Sequence, residues 1–229
     1  MGELSVWRHA RPSAVAGRCI GRTDVPVDRR KSKRLAHRIR AWARRHGTAK
    51  VVVTSPLRRG ADTGRWLARW GWRHRVDPRL LELDFGDWDG RAWAEIPVEA
   101  IDAWCADFAS HRPGGGESVG ALLERCAAFI ADAQPCSAVV GHAGWISAAL
   151  WLQQAAGALP RAAAWPGAVG YGARVAVMQT AGVHRSATLQ PPRSPEKHRT
   201  SASPRTVRTA AAELGKRSDR AGSANGARR

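Results

Sequence analysis

Arg8-His9, Arg58-Arg59 and His142 each follow a short strand-like run: Leu4-Ser5-Val6-Trp7, Lys50-Val51-Val52-Val53-Thr54-Ser55 and Ser137-Ala138-Val139-Val140-Gly141. Two histidines and at least two arginines, brought together, make a cationic pocket for a compact dianion. Guanidinium forks match phosphate oxygens, and the free amides of a helix start add donors. A neutral imidazole in such a pocket is also a nucleophile, and a phosphorylated histidine divides one difficult displacement into two. The leaving oxygen then needs a proton, so a carboxyl group must act as acid and afterwards as base. Carboxyl groups crowd Leu80-Leu81-Glu82-Leu83-Asp84-Phe85-Gly86-Asp87-Trp88-Asp89-Gly90. By residue type alone Glu82 competes there with Asp84, Asp87 and Asp89, which read equally as solvated or turn-capping.

These residues are far apart in sequence and need a frame. Ser32 to Arg45 carries Leu35, Ile39 and Trp42 at helical spacing. The run Lys50 to Ser55 suits a strand buried on both faces, and Pro56 is placed for the first turn of a helix through Thr63, Trp66 and Leu67 to Trp70. Gly114-Gly115-Gly116 breaks the chain before a helix from Glu117 to Ala133, marked by Val119, Leu122, Leu123, Cys126 and Ile130. A further strand is expected at Ser137 to Gly141, a helix after His142, and a last strand at Arg174 to Met178. This alternation predicts an α/β domain with a largely parallel sheet. Such sheets bind ligands beyond the carboxyl ends of their strands, where the three polar strand ends would meet.

Five segments in order carry a resemblance: Arg8-His9, Ser55-Pro56-Leu57-Arg58-Arg59 with Thr63, Glu82 to Trp88, Pro113-Gly114-Gly115-Gly116-Glu117-Ser118, and Gly141-His142-Ala143-Gly144. Together they resemble the histidine phosphatase superfamily, across residues 4 to about 180. The resemblance implies a three-layer α/β/α, phosphoglycerate-mutase-like fold and a phosphomonoesterase acting through phosphohistidine on a small phosphorylated substrate, with no metal and no cofactor. It implies His9 as nucleophile, Glu82 as proton donor, and Arg8, Arg59, His142 and the Ala143 amide around the phosphate. Arg59 is preferred to Arg58 because the family's arginine stands four residues after the serine. Arg11-Pro12 and Gly17 to Pro26 are similar to the α-ribazole phosphatase branch, which implies α-ribazole 5′-phosphate, in assembly of the cobalamin lower ligand, as substrate. Gly21 and Arg22 then read as substrate-pocket residues or as a plain turn. The family's R-H-G-E-T-x-x-N opening is replaced here by Arg8 to Val15, and H-x-G-x-I-R by His142 to Ser147, which loses an arginine.

Composition bounds these expectations. Among 229 residues, 44% are hydrophobic and 11 are tryptophan, which excludes disorder throughout. The net charge of +18 suggests a polyanion binder when taken alone. Residues 185–229, however, hold 11 Lys+Arg against 3 Asp+Glu and no aromatic residue, and read as a disordered basic tail after a domain spanning 1–184. The basic Ser32 to Arg45 run reads as a solvated helix face, so nucleic acid is expected only as a non-specific partner of the tail. Trp66, Trp70 and Trp72 read as packing residues. Cys19, Cys105, Cys126 and Cys136 lack metal or redox spacing and read as reduced thiols of a cytoplasmic protein. No basic leader with an apolar run opens the chain, and no stretch reaches ~18 consecutive apolar residues. His37, His46, His74, His111, His184 and His198 lack paired metal-ligand spacing and read as surface residues. A phosphoglycerate-type mutase and a noncatalytic polyanion-binding protein are the alternatives. The mutase is disfavoured by the short Glu82 to Glu117 segment, which lacks a basic substrate-gripping insertion.

Overall fold

A computed structural model describes residues 2–134, 138–155 and 157–179. The elements run β1 (Glu3–Arg8), α1 (Arg29–His46), β2 (Val51–Thr54), α2 (Arg58–Ala68), β3 (Arg73–Val76), α3 (Val98–Ala106), α4 (Val119–Asp132), β4 (Ala138–Gly141), α5 (Ala143–Gln154) and β5 (Arg174–Met178). The sheet has the order β3-β2-β4-β1-β5, with β5 antiparallel to β1 and the other pairings parallel.

Alternate side chains along the strands point to opposite faces and build two cores. Val6 and Val139 join Leu122, Phe129 and Ile146 of α4 and α5 on one face. Trp7, Val52, Ala138 and Val140 join Leu35, Ile39 and Leu67 of α1 and α2 on the other. This is the three-layer α/β/α arrangement that the family resemblance implies, built on the largely parallel sheet that the sequence pattern predicts. Helix α1 starts at Asp28, whose carboxylate accepts from the Arg30 N–H at 2.6 Å, and ends at Gly47 in the left-handed region. Trp72 is buried, and Trp66 and Trp70 pack against the α1–α2 core. Arg29, Lys33 and Arg69 sit over the Trp66 ring at 4.9–5.1 Å, so part of the basic character of this face is spent on tryptophan.

Helix α2 begins at Arg58, two residues later than Pro56 suggests, because Leu57 is still extended (φ −63°, ψ 135°). It also stops at Ala68, short of Trp70, where the chain turns through Gly71 toward β3. Helix α4 spans Val119–Asp132, with the Ser118 hydroxyl accepting from the Ala121 N–H at its start. Strand β3 and helix α3 have no counterpart in the sequence reading. Arg73-His74-Arg75-Val76 lacks an apolar pattern, which an edge strand does not need.

Cys19, Cys105 and Cys126 are free thiols, and burial pushes all three up from the ordinary range. Among the described residues no helix is long and apolar enough to cross a membrane. Cys136, His184, His198 and the basic 185–229 segment lie outside the described residues.

Ile39 is fully buried between α1 and the sheet. Ile39→Ala is expected to cost about 2–5 kcal/mol in urea unfolding, and a loss below about 1 kcal/mol would show that this face is not a packed core.

Candidate active site

Strands β2, β4 and β1 are neighbours and parallel, so their carboxyl ends open on one edge. The backbone continues the pairing past the strands: the His9 N–H donates to Gly141 O at 3.1 Å, and the Ser55 N–H to Val140 O at 3.3 Å. This brings the His9 and His142 rings together, with centroids 5.0 Å apart. Both side chains are buried.

The hydrogen bonds fix the two tautomers. His9 Nδ1 lies 2.8 Å from the Ala10 carbonyl, which can only accept, so Nδ1 carries the proton and Nε2 keeps its lone pair. At His142 the order is reversed. Arg59 Nε donates to Nδ1 at 3.1 Å, so the His142 proton sits on Nε2, which is buried with no acceptor. Burial, and then the charges of Arg59 and Arg8, hold His9 well below the usual histidine range. His142 is held down by burial, then by Arg59 and His9. Both imidazoles are therefore neutral near pH 7, as a nitrogen nucleophile must be.

Arg59, in the first turn of α2, is 1% exposed and commits one N–H from each nitrogen to the protein. Besides His142 these partners are the carbonyls of Thr23 (2.6 Å) and Gly21 (2.5 Å). Asp89 fixes that loop, its carboxylate accepting from the backbone N–H groups of Gly21, Arg22 and Thr23 and from the Thr23 hydroxyl. Arg8 donates to Val169 O at 2.6 Å and lies 3.8 Å over the Tyr171 ring, while its buried Nε lacks a partner.

Glu82 is buried, and its carboxylate accepts from the Leu83 N–H at 3.0 Å and the Gly144 N–H at 3.1 Å. Its charge opposes the effect of burial on both Arg8 and Arg59. A Cβ at residue 144 would overlap Glu82 Oε1, so glycine in the first turn of α5 makes room for the acid. Arg125 of α4 holds the segment bearing Glu82, donating to the carbonyls of Arg79, Leu81 and Glu82 and to the Glu117 carboxylate. Gly86, at φ +51°, lets this segment lie against the backbone of Gly114 and Gly116.

Arg8, His9, Arg59, Glu82 and Ala143 line one pocket of about 140 Å³, together with Tyr171 and a wall of apolar side chains. His142 is fully buried with its ring 5.0 Å from that of His9, and is not among the lining residues. Gly21 and Arg22 are not among the lining residues. Gly21 acts through its carbonyl on Arg59, and Arg22 stands 3.6 Å from Glu117 beside a second cleft. Among the described residues no group of three or more His, Cys, Asp or Glu side chains could hold a metal ion. Sequence reasoning missed Asp89 as the loop anchor, Arg125 as the brace and Tyr171 beside Arg8. An isolated tyrosine or arginine gives no spacing signal, although Asp89 stood among the carboxylates singled out.

The histidine phosphatase superfamily (branch 1) matches residues 4–185, and the chain belongs to that family. Glucosyl-3-phosphoglycerate phosphatase of Mycobacterium tuberculosis is 40% identical over 86 residues, 36% of this chain and only 38% of that protein. Adenosylcobalamin/alpha-ribazole phosphatase of Salmonella typhimurium is 28% identical over 159 residues, 63% of this chain and 76% of that one. The solved structure of the mycobacterial glucosyl-3-phosphoglycerate phosphatase with VO3 superposes with a TM-score of 0.62 at 29% identity, covering 77% of this chain and 92% of that one.

Two outcomes follow from this geometry. Asp89→Ala leaves the amides of residues 21–23 without their acceptor and is expected to lower stability by about 1–3 kcal/mol in urea unfolding; no loss would mean the loop is held otherwise. The depressed histidines also make stability depend on pH. Below about pH 6.5 the unfolded chain takes up protons that native His9 and His142, and in part His74, refuse, so stability falls as pH falls, with a slope that approaches about 1.4 kcal/mol per pH unit for each fully buried histidine toward pH 5. Unfolding free energies measured between about pH 6.5 and 5 should show this slope, and His142→Asn should remove about half of what the pair contributes.

Proposed function

We propose that the chain is a phosphomonoesterase that transfers the phosphoryl group of a small ester to His9 and then to water. The observation that carries this reading is a neutral His9, its Nε2 lone pair bare, lining a pocket with two buried guanidiniums and a carboxyl group. Two further buried donors, Arg8 Nε and His142 Nε2, lack an acceptor in the protein, and phosphoryl oxygens would supply one. The amide of Ala143, in the first turn of α5, adds a helix N-terminus to the same pocket.

In the first step His9 Nε2 attacks phosphorus. The P–N bond forms as the P–O bond to the alcohol breaks, and Glu82, entering as the acid, gives its proton to the departing oxygen. In the second step the Glu82 carboxylate takes a proton from water, whose oxygen attacks phosphorus. The P–N bond breaks, its electron pair returns to His9 Nε2, and phosphate leaves. Charge building on the equatorial oxygens is met by Arg8 and Arg59, already in place.

Hydrolysis is favoured over a mutase because the stretch between Glu82 and Glu117 gives the pocket Leu83, Phe85, Trp93, Trp104 and Phe108 and no cation to grip an acidic substrate. The names of the relatives suggest α-ribazole 5′-phosphate as one ester to test and glucosyl-3-phosphoglycerate as another. The first is preferred, since Arg11-Pro12 and the Gly17 to Pro26 segment resemble that branch.

Phosphate release from a panel of esters containing both tests the reading. His9→Ala is expected to lower kcat/KM by about a thousand-fold or more, and Glu82→Gln by about a hundred-fold or more. Rapid quenching with labelled ester should trap acid-labile phosphate on wild-type His9. Undiminished release by His9→Ala would overturn the mechanism.

A further inference from the structure

Away from its phosphate-handling end, the pocket is walled by a run of touching rings. Phe85 meets Trp93 and Trp104 edge to face at 5.8 and 5.9 Å, Trp104 meets Phe108 at 5.3 Å, and Phe108 meets Trp165 at 5.4 Å. All five line the same pocket as His9, and Val15 and Ile20 continue the apolar surface. The charged side chain of the lining not already engaged around the phosphate position is Arg18. It points its Nη1 donor at Gly90 O on the exposed side.

We propose that the ester this site selects carries a flat apolar ring that lies against this wall, rather than ending there in a polyol or a carboxylate-bearing chain. Phe85, Trp93 and Trp165 are only half-buried, so their ring surface still faces water that a ring of the substrate would displace. Hydroxyls or a carboxylate set against the same wall would give up their hydration without a partner of matching polarity.

This inference rests on the phosphomonoesterase reading, and the experiment separates the two. Benzyl phosphate and glycerol 1-phosphate both release a primary alcohol, so a difference between them reports the pocket more than the leaving group's acidity. Full-length protein is expected to favour benzyl phosphate by about thirty-fold or more in kcat/KM. Trp93→Ala and Trp165→Ala, at half-buried positions, should each shrink that ratio by about five-fold or more, and Trp93→Phe should restore most of it. Equal values, a preference for glycerol 1-phosphate, or variants that lower both esters alike would overturn the inference while leaving the phosphatase in place. No release from either ester, with no label trapped on His9, would overturn the phosphomonoesterase reading and this inference with it.

Discussion

A guanidinium that is almost wholly buried must have its charge and its donors met, and Arg59 meets that demand by gathering separate parts of the chain. It reaches from the first turn of α2 to the carbonyls of Gly21 and Thr23 and to the ring of His142. The loop it grasps is held in turn by Asp89, and the charge it carries is balanced in part by Glu82. Losing any of these would leave a buried cation short of partners, which is far costlier than losing an exposed ion pair. The arrangement of the pocket therefore follows from satisfying one side chain.

The same charge sets the state of the histidines. Two imidazoles beside two guanidiniums in a buried place are kept from protonation by burial and by the neighbouring cations. Backbone and side-chain bonds then settle which nitrogen of each ring holds its proton. The pair consequently divides into a bare lone pair on His9 and an N–H donor on His142, two different chemical faces from one residue type.

Much of this was legible in the sequence, for physical reasons that also explain what was not. Strands β1, β2 and β4 lie at the centre of the sheet, and residues such as Val52, Val139 and Val140 had to be apolar, so their runs were visible. Strand β3 pairs on one side only, and Arg73-His74-Arg75 carries no such mark. Pro56 gave a helix-start signal that the extended backbone at Leu57 overrode. Arg8, His9, Arg59 and Ala143 come together in one pocket because strand ends and helix starts of a parallel sheet meet on one edge, and Glu82 joins them on the irregular segment that Arg125 holds. Arg125 and Tyr171 reach the site from α4 and from the turn before β5, and only tertiary packing brings them there.

The unmet donors of Arg8 and His142 have a kinetic side. In the proposed reaction the groups that complete this hydrogen-bond network belong to the phosphoryl end of the ester, and free inorganic phosphate presents the same oxygens. A site finished by the product as readily as by the substrate retains what it makes. Turnover by the proposed route would then slow as phosphate accumulates, and the alcohol portion of the ester, which is proposed to lie against the aromatic wall, would become the part that lets fresh substrate displace the product.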